Sequence, residues 1–387
     1  MMRGRATGTI LAVLAAVLSI TAAQGQNRVE PKPPMAEEVF KNVQVLKGIT
    51  ASEFMETMGF FSASTLLNCT DCHTKESTGR WEEYAVDTPL KRTARRMVQM
   101  VRSLNQSSFG GRAVITCYTC HRGDERPKGI PNLTEMYSAP APQEPEQVLE
   151  QAPGAPSADS LLDKYFEALG GAQKLAGMTS LTAKGTYNGS PVSLMTGQSP
   201  VEIYAKAPDQ RTMIIHADAG DATTAFDGRT AWSAAPILYS PLPVLPLTGT
   251  DLDAAKMEAE LMFPARFKQA LTGWRVGFPF VIDNNDVQVV QGTGAGRLPV
   301  KLYFDSKSGL LVRVVRYKRL PVGLNPIQTD YSDYRDISGI KIPFQIKLTG
   351  VDGLATIQLS EVRLNVPIDA AKFAKPAPPV ARKATAP

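Results

Sequence analysis

The sequence predicts a multidomain protein of class α and β, in which a small all-α domain precedes an antiparallel, curved β-sheet domain with a few helices. Amphipathic helical patterns occupy residues 27–135, whereas apolar and polar residues alternate through much of 159–377. A stretch rich in Pro, Ala, Glu and Gln, 137–158, separates the two and predicts a linker. Residues 378–387 predict a disordered tail.

The first residues predict a secretory signal peptide over 1–23. Arg3 and Arg5 form a basic region, 10–20 is an apolar run, and 21–23 supplies small residues for cleavage. An uncleaved N-terminal anchor is the alternative, although the run is short for a membrane span. We therefore expect an exported, periplasmic protein that contacts the inner membrane at most peripherally. The chain has a net charge of +5 and no basic stripe, which argues against nucleic acid as a partner.

Two helices of the first domain are predicted from local signals. Thr50 and Glu53 form a capping-box signature, and Phe54, Met58 and Phe61 follow at helical spacing. The second helix has Thr88 as its N-cap and Pro89 at its first position. One face of that helix is predicted to carry Leu90, Ala94, Met97, Val101 and Leu104.

The second domain opens with a predicted helix over 159–170, which ends at a Gly-Gly pair. A further helix fits 251–273, where Pro264 should kink or split it. Alternating apolar and polar residues predict strands at 201–207, 212–217, 301–305, 310–318, 342–348 and 355–366.

All cysteines of the chain lie in two similar motifs, NCTDCH at 68–73 and TCYTCH at 116–121. In a c-type haem site, two thiols attach the haem covalently and the adjacent histidine is the proximal iron ligand. The cofactor predicted here is heme c, two copies covalently attached. The residues predicted to hold it are Cys69, Cys72, His73, Cys117, Cys120 and His121.

Two other chemistries remain as alternatives for these motifs. A four-cysteine zinc site would place its two pairs about 15–20 residues apart, whereas Cys72 and Cys117 are much farther apart here. A pair of redox disulfides would not require a histidine after each second cysteine. Export of the chain also fits covalent haem, which bacteria install outside the cytoplasm.

The distal iron ligands are predicted to be methionines. His216 is the one histidine outside the motifs, and its pattern predicts a strand position. Met58 lies on the helix before the first motif and Met97 on the helix before the second, with Met55 and Met100 as fallbacks. The competing interpretation is that these methionines pack in an apolar core.

The stretches KNVQVLKGITASEFMETMGFFSASTLLNCTDCH, ARRMVQMVRSLNQ and ITCYTCHRG resemble the cytochrome c subunit of the photosynthetic reaction centre, over about 40–125. The resemblance implies a multihaem cytochrome c domain, with Met58 ligating the haem on Cys69 and Cys72, and Met97 ligating the haem on Cys117 and Cys120. It also implies electron transfer to or from a membrane redox complex, in photosynthesis or in respiration. A soluble redox protein is the alternative partner.

This chain departs from that family in several ways. The family subunit has four haems, a further histidine ligand and commonly a lipid-anchoring cysteine near its N-terminus, whereas this chain has two motifs, no histidine in QSSFGGRAVI and no such cysteine. Residues 159–377 have no counterpart in it. They resemble the bacterial lipoprotein-carrier (LolA/LolB-like) half-barrels through LLDKYFEALGGAQKLAGMTSLTAKGTY, FDGRTAW and YRDISGIKIPFQI.

The leading functional hypothesis is a periplasmic dihaem electron carrier without catalytic residues. One alternative is a peroxidase or oxidase in which one haem lacks its distal ligand. Another makes the β domain primary, as a binder of an apolar ligand such as a lipid or lipoprotein, whereas a packed core would make it a spacer. No phosphate-binding loop, metalloprotease motif or nucleophile elbow is recognisable in the sequence.

Overall fold

A computed structural model describes most of the chain from Lys32 to Val380. The described ranges are 32–77, 80–138, 147–148, 150–189, 197–294, 298–351 and 353–380. The predicted signal peptide lies outside them, as do the last residues of the predicted tail. In the ranges described, no helix combines the length and the apolar character that a membrane span requires.

The part of the chain up to residue 138, which we call the haem-motif region, contains helices and short 3₁₀ turns. Their bounds are α1 Ala36–Val39, α2 Ala51–Thr65, α3 Cys69–Cys72, α4 Pro89–Phe109, α5 Cys117–His121 and α6 Leu133–Tyr137, with 3₁₀ turns at Lys75–Ser77 and Trp81–Ala85. Both predicted helix starts are confirmed. Thr50 and Glu53 form a complete capping box on α2, and Thr88 caps α4 by accepting from the Lys91 amide.

The predicted apolar face of α4 is partly wrong. Val101 is buried, but Met97 and Leu104 are 38% and 41% exposed. The buried face is instead formed by Val98, Val101 and Asn105. Asn105 can be buried because its side-chain amide group bonds to the backbone of the segment that follows the helix, at Val114 and Ile115.

Among the described residues after 138, the strands form one antiparallel sheet, and four α-helices accompany it. The strands are β1 Ser180–Gly189, β2 Ser199–Lys206, β3 Gln210–Ala217, β4 Gly220–Phe226, β5 Ala231–Ala234, β6 Val244–Leu247, β7 Thr272–Val276, β8 Phe280–Ile282, β9 Asn285–Thr293, β10 Pro299–Asp305, β11 Leu311–Leu320, β12 Gly323–Ile337, β13 Ile340–Gly350 and β14 Gly353–Leu364. The helices are α7 Ala158–Leu169, α8 Ala172–Ala176, α9 Thr250–Leu261 and α10 Phe267–Ala270.

The strand order is β6-β5-β4-β3-β2-β1-β14-β13-β12-β11-β10-β9-β7, and β8 pairs with β9. Each predicted strand and the helix at the start of the domain are confirmed. The helix predicted over 251–273 ends at Leu261, a 3₁₀ turn starts at Pro264, and α10 follows, so the proline does mark a split.

The sheet curls strongly, as an ion bridge across it shows. Glu258 on α9 contacts Arg211 on β3 through one carboxylate oxygen at 2.9 Å and Arg316 on β11 through the other at 2.9 Å. These strands are six positions apart in the sheet, which would be about 29 Å if the sheet were flat. One side chain can reach both arginines only because the sheet wraps around α9.

Helix α7 fills the interior of this curved sheet. One of its faces is buried in the main core, with Leu162, Tyr165, Phe166 and Leu169 among strand residues from both halves of the sheet. Two clefts that the described residues form, of about 410 Å³ and 30 Å³, lie beside α9 rather than inside this core. This packing of α7 among the strands agrees with the packed-core alternative for this domain.

From Lys32 onward the chain forms one compact unit. The turn between β11 and β12 extends from the sheet into the haem-motif region, where Leu320 and Val322 share a buried apolar cluster with Leu46, Phe60 and Val98. Within the predicted linker, Val148 and Ala152 are buried, and Val148 exchanges hydrogen bonds with the Gln291 side chain. The predicted domain boundaries stay a prediction.

Candidate haem site

Each Cys-x-x-Cys-His motif folds into a single capped helical turn. Asn68 caps α3 by accepting from the amides of Thr70 and Asp71, and Thr116 caps α5 by accepting from the Thr119 amide. Because cysteines three apart lie on one side of a helical turn, both thiols of a motif face the same space. All four cysteines are free thiols.

The two histidines have the same hydrogen-bonding arrangement. His73 Nδ1 lies 3.2 Å from the Tyr84 carbonyl oxygen, and His121 Nδ1 lies 3.0 Å from the Asp124 carbonyl oxygen. A carbonyl oxygen only accepts, so Nδ1 carries the proton and donates in both residues. The lone pair of each imidazole is therefore on Nε2, which is the form that binds a metal ion.

The surroundings of the first motif favour a neutral imidazole. Burial lowers the pKa of His73, and the positive charge of Lys91 lowers it further. Lys91 Nζ donates to the same Tyr84 carbonyl oxygen, at 2.8 Å, that accepts from His73. The Tyr84 ring also packs edge-on against the His73 ring, with 4.8 Å between centroids. His73 is thus held in orientation as well as in tautomer.

Two of the four thiols lie in surroundings that oppose ionisation. Burial raises the pKa of Cys117 to about 11. Burial also raises the pKa of Cys72, and the charge of Asp71 adds to the shift.

An exposed apolar surface accompanies the motifs. Met97, Met100 and Leu104 lie along the exposed side of α4, with exposed fractions of 38%, 44% and 41%. Tyr118, inside the second motif, is also exposed. An apolar macrocycle would cover this surface.

The predicted distal methionines differ in environment. Met58 is half-buried and packs against the apolar cluster of Leu46, Phe60 and Val98, as does Cys117. Met97 is 38% exposed on α4, whereas its neighbour Val98 is buried in that cluster. Their ligand roles stay predictions, as do those of the fallbacks Met55 and Met100.

His216 lies on β3, with Nδ1 2.9 Å from Asp221 and Nε2 3.8 Å from Glu202. Both of its ring nitrogens thus face carboxylates of the sheet, as expected for a polar strand residue. In the part of the chain described, no three His, Cys, Asp or Glu side chains form a metal-binding cluster.

Sequence reasoning missed several residues that shape the site. Tyr84 and Asp124 act through backbone carbonyl groups, which leave no signal in residue type. Trp81 stacks on Tyr84 and donates from Nε1 to the Ile237 carbonyl oxygen at 2.6 Å, which ties the first motif to the sheet domain. The sequence signal that could have indicated these contacts is the pair of aromatic residues three positions apart, Trp81 and Tyr84.

Comparison with known proteins agrees with this site. Residues 10–168 match the family model described as photosynthetic reaction centre cytochrome C subunit. The resemblance drawn from the motifs is confirmed. The subunit of that name from Thermochromatium tepidum is 38% identical over 99 residues, which cover 24% of this chain and 23% of the relative. That from Roseobacter denitrificans is 33% identical over 116 residues, which cover 28% and 30%. The chain thus spans about a quarter of the length of these relatives.

Solved structures are similar over another part of the chain. A LolA superfamily protein from Nitrosomonas europaea covers 57% of this chain and 99% of its own, at 17% identity and a TM-score of 0.38. A DUF1329 family protein from Desulfovibrio piger covers 57% and 98%, at 12% identity and a TM-score of 0.39.

Proposed function

We propose that this chain is a dihaem c-type cytochrome that carries single electrons to or from a redox complex at the periplasmic face of the inner membrane. The observation that carries the proposal is the repeated arrangement at the two motifs. In each, two free thiols and one histidine lie on a single helical turn, and a backbone carbonyl fixes the histidine Nδ1–H. One such motif could arise by chance, but the same tautomer control at both indicates a shared ligand function.

Each residue of the site has a defined task in this proposal. Cys69 and Cys72 would bond one haem, and Cys117 and Cys120 the other, each by addition of its S–H across a vinyl double bond of the haem, which leaves the hydrogen on a vinyl carbon. His73 and His121 present neutral Nε2 to iron, and Met58 and Met97 supply the distal sulfur. A bound haem supplies one-electron exchange at iron, and its potential rises with a thioether ligand. The protein holds these ligands still and excludes water.

The partner is proposed from the relatives. They are named as cytochrome subunits of the photosynthetic reaction centre, so a membrane complex of that kind, or its respiratory counterpart, is the partner we propose. Exposed arginines at positions 92 and 96 lie along one edge of the apolar stripe of α4. This mixture of charge and apolar surface suits brief docking to an acidic protein face.

Intact mass and haem absorbance of the exported protein test the proposal. We expect a mass corresponding to two bound haems, which falls by one haem in Cys69→Ala/Cys72→Ala and by one in Cys117→Ala/Cys120→Ala. Ser157→Ala, outside both motifs, is the control and should retain two haems. A chain that carries zinc or alkylatable thiols instead of haem would contradict the proposal. Rapid cyanide binding by one ferric haem would favour the peroxidase or oxidase.

A further inference from the structure

Helix α2 contacts the sheet domain along one stripe, over three successive turns. Ser52 Oγ donates to Asp251 Oδ2 at 2.7 Å, at the start of α9. Glu56 Oε1 accepts from Lys318 Nζ of β11 at 2.5 Å. Phe60 packs with Leu320 and Val322. Residues four apart lie nearly above one another on a helix, so these contacts fix one side of α2.

Lys318 is the centre of this stripe. Its side chain is only 14% exposed, and its ammonium contacts both Glu56 and Asp251, which are 19% and 11% exposed. An ammonium group so far from water requires nearby negative charge, which two carboxylates from different elements supply. The three residues therefore join α2, α9 and β11 at a single point.

The predicted distal ligand lies on the other side of α2. Met58 is two residues from both Glu56 and Phe60, which places it about 200° around the helix from each. Phe54 and Phe61 share that side, and like Met58 they pack at the edge of the apolar cluster that Phe60 enters from the side of the sheet. Because this stripe holds one side of α2 against the sheet, it also determines the direction in which the Met58 side chain leaves the helix.

We propose that Lys318, held between Glu56 and Asp251, is a positioning residue that fixes the rotation of α2 and so presents the Met58 sulfur to the haem on Cys69 and Cys72. The inference rests on the proposed function, and it gives the sheet domain a role in the haem site. A rotation of α2 by a fraction of a turn would move the sulfur by several ångströms, because the methionine side chain extends well beyond the helix radius.

The test uses the full-length, haem-loaded protein and two substitutions. Lys318→Met keeps the length of the side chain but removes the charge, and Glu56→Gln keeps the shape of its partner. The measurements are the weak far-red band of methionine-ligated ferric haem, the reduction potential of each haem, and the rate at which added imidazole displaces the distal ligand. Circular dichroism reports the fold of each variant.

We expect Lys318→Met to lose the methionine band of one haem and to lower the potential of that haem alone. If Lys318→Met does not fold, Glu56→Gln is the variant that tests the inference. In Glu56→Gln, imidazole should displace the distal methionine on the order of tenfold faster than in the parent, because residues of one network are energetically coupled. Lys318→Arg should retain the band because it keeps the charge. Lys341→Met, an exposed lysine of β13, should match the parent.

Two results would overturn the inference, and they are distinguishable. If Glu56→Gln and a folded Lys318→Met exchange ligands at the parent rate, the positioning role is wrong while the electron carrier stands. If the parent has two bound haems but no methionine band, the distal ligand assignment fails, and the positioning role fails with it.

Discussion

The Cζ atom of Phe60 lies 3.0 Å from the point that a Cβ atom on Gly323 would occupy. The same point lies 2.9 Å from Thr116 Cγ2, at the cap of the second motif, and Gly323 has a φ of +152°. Glycine is therefore required where the β11–β12 turn approaches the haem-motif region. This turn carries the apolar contact between the sheet and α2.

Replacement of Gly323 by alanine is expected to destabilise the protein by about 1–3 kcal/mol, because the methyl group overpacks the contact in an unfavourable backbone conformation. Denaturant unfolding monitored by circular dichroism measures the change. Gly129→Ala is the matched control, since a Cβ there meets nothing within 4 Å. Equal stability of the two variants would show that the turn can move away from Phe60 at little cost.

Local signals were sufficient to predict α2 and the start of α4. Thr50, Glu53, Thr88 and Pro89 act within one helical turn, so a single sequence contains everything that the caps need. The spacing of apolar residues along α4 predicts a helix, but it predicts the wrong buried face. An asparagine in a helical pattern is expected at the surface. Asn105 can be buried because the backbone of the segment after the helix forms hydrogen bonds with its side-chain amide group.

Contacts between distant residues could not be predicted in this way. Lys318 ends a recognisable strand pattern and would be expected in solvent, yet its partner Glu56 is 262 positions away. Strand β12 was missed because Asn325 and Pro326 interrupt its pattern and its exposed residues do not alternate regularly. The motif residues could be predicted because covalent haem chemistry fixes their spacing, whereas the carbonyl partners of the histidines depend on the fold.

The distal ligand assignment makes a specific prediction for Met58. Leucine in its place conserves volume, so we expect the fold to survive with a loss below about 1.5 kcal/mol. The far-red methionine band of one haem should disappear, and the potential of that haem should fall, because the thioether favours ferrous iron. Met55→Leu, one turn earlier on the same helix, is the matched control and should retain the band.

The second haem is tested in the same way with Met97→Leu and Met100→Leu. We expect the band of the other haem to disappear in Met97→Leu and to remain in Met100→Leu. Leucine conserves the volume of methionine, so neither substitution should lower stability by more than about 1.5 kcal/mol. Retention of the band in both variants would leave this haem with another ligand or an open site.

Trp81→Phe is expected to weaken the link between the first motif and the sheet domain. It removes the hydrogen bond from Nε1 to the Ile237 carbonyl but keeps an aromatic ring beside Tyr84. The loss should be about 1 kcal/mol in the free energy of unfolding. Tyr118→Phe, at an exposed ring of the second motif, should cost less. A Trp81→Phe protein as stable as the parent would show that the bond exchanges freely with water.

The buried cluster around Lys318 predicts how stability depends on pH. Asp251 is desolvated, but the charge of Lys318 and hydrogen bonds from Lys318 and Ser52 outweigh this and lower its pKa. A lowered folded-state pKa means that its contribution is present above the unfolded value of about 3.9 and is lost as pH falls through the folded value. Desolvation lowers the pKa of Lys318, but the charges of Asp251 and Glu56 outweigh it and raise that pKa. The charged Lys318 therefore contributes to stability at neutral pH and loses this contribution only in strong alkali.

Asp251→Asn should therefore cost about 2 kcal/mol at pH 7 and progressively less below about pH 4, where the unfolded parent binds a proton that the folded carboxylate does not. Denaturant unfolding of both proteins between pH 3 and pH 7, about the range of carboxyl titration, gives this difference. Asp159→Asn, at a largely exposed carboxylate paired with Lys268, should show little difference at any pH. A difference for Asp251→Asn that stays constant into acid would mean that the side chain contributes through packing rather than through its charge on Lys318.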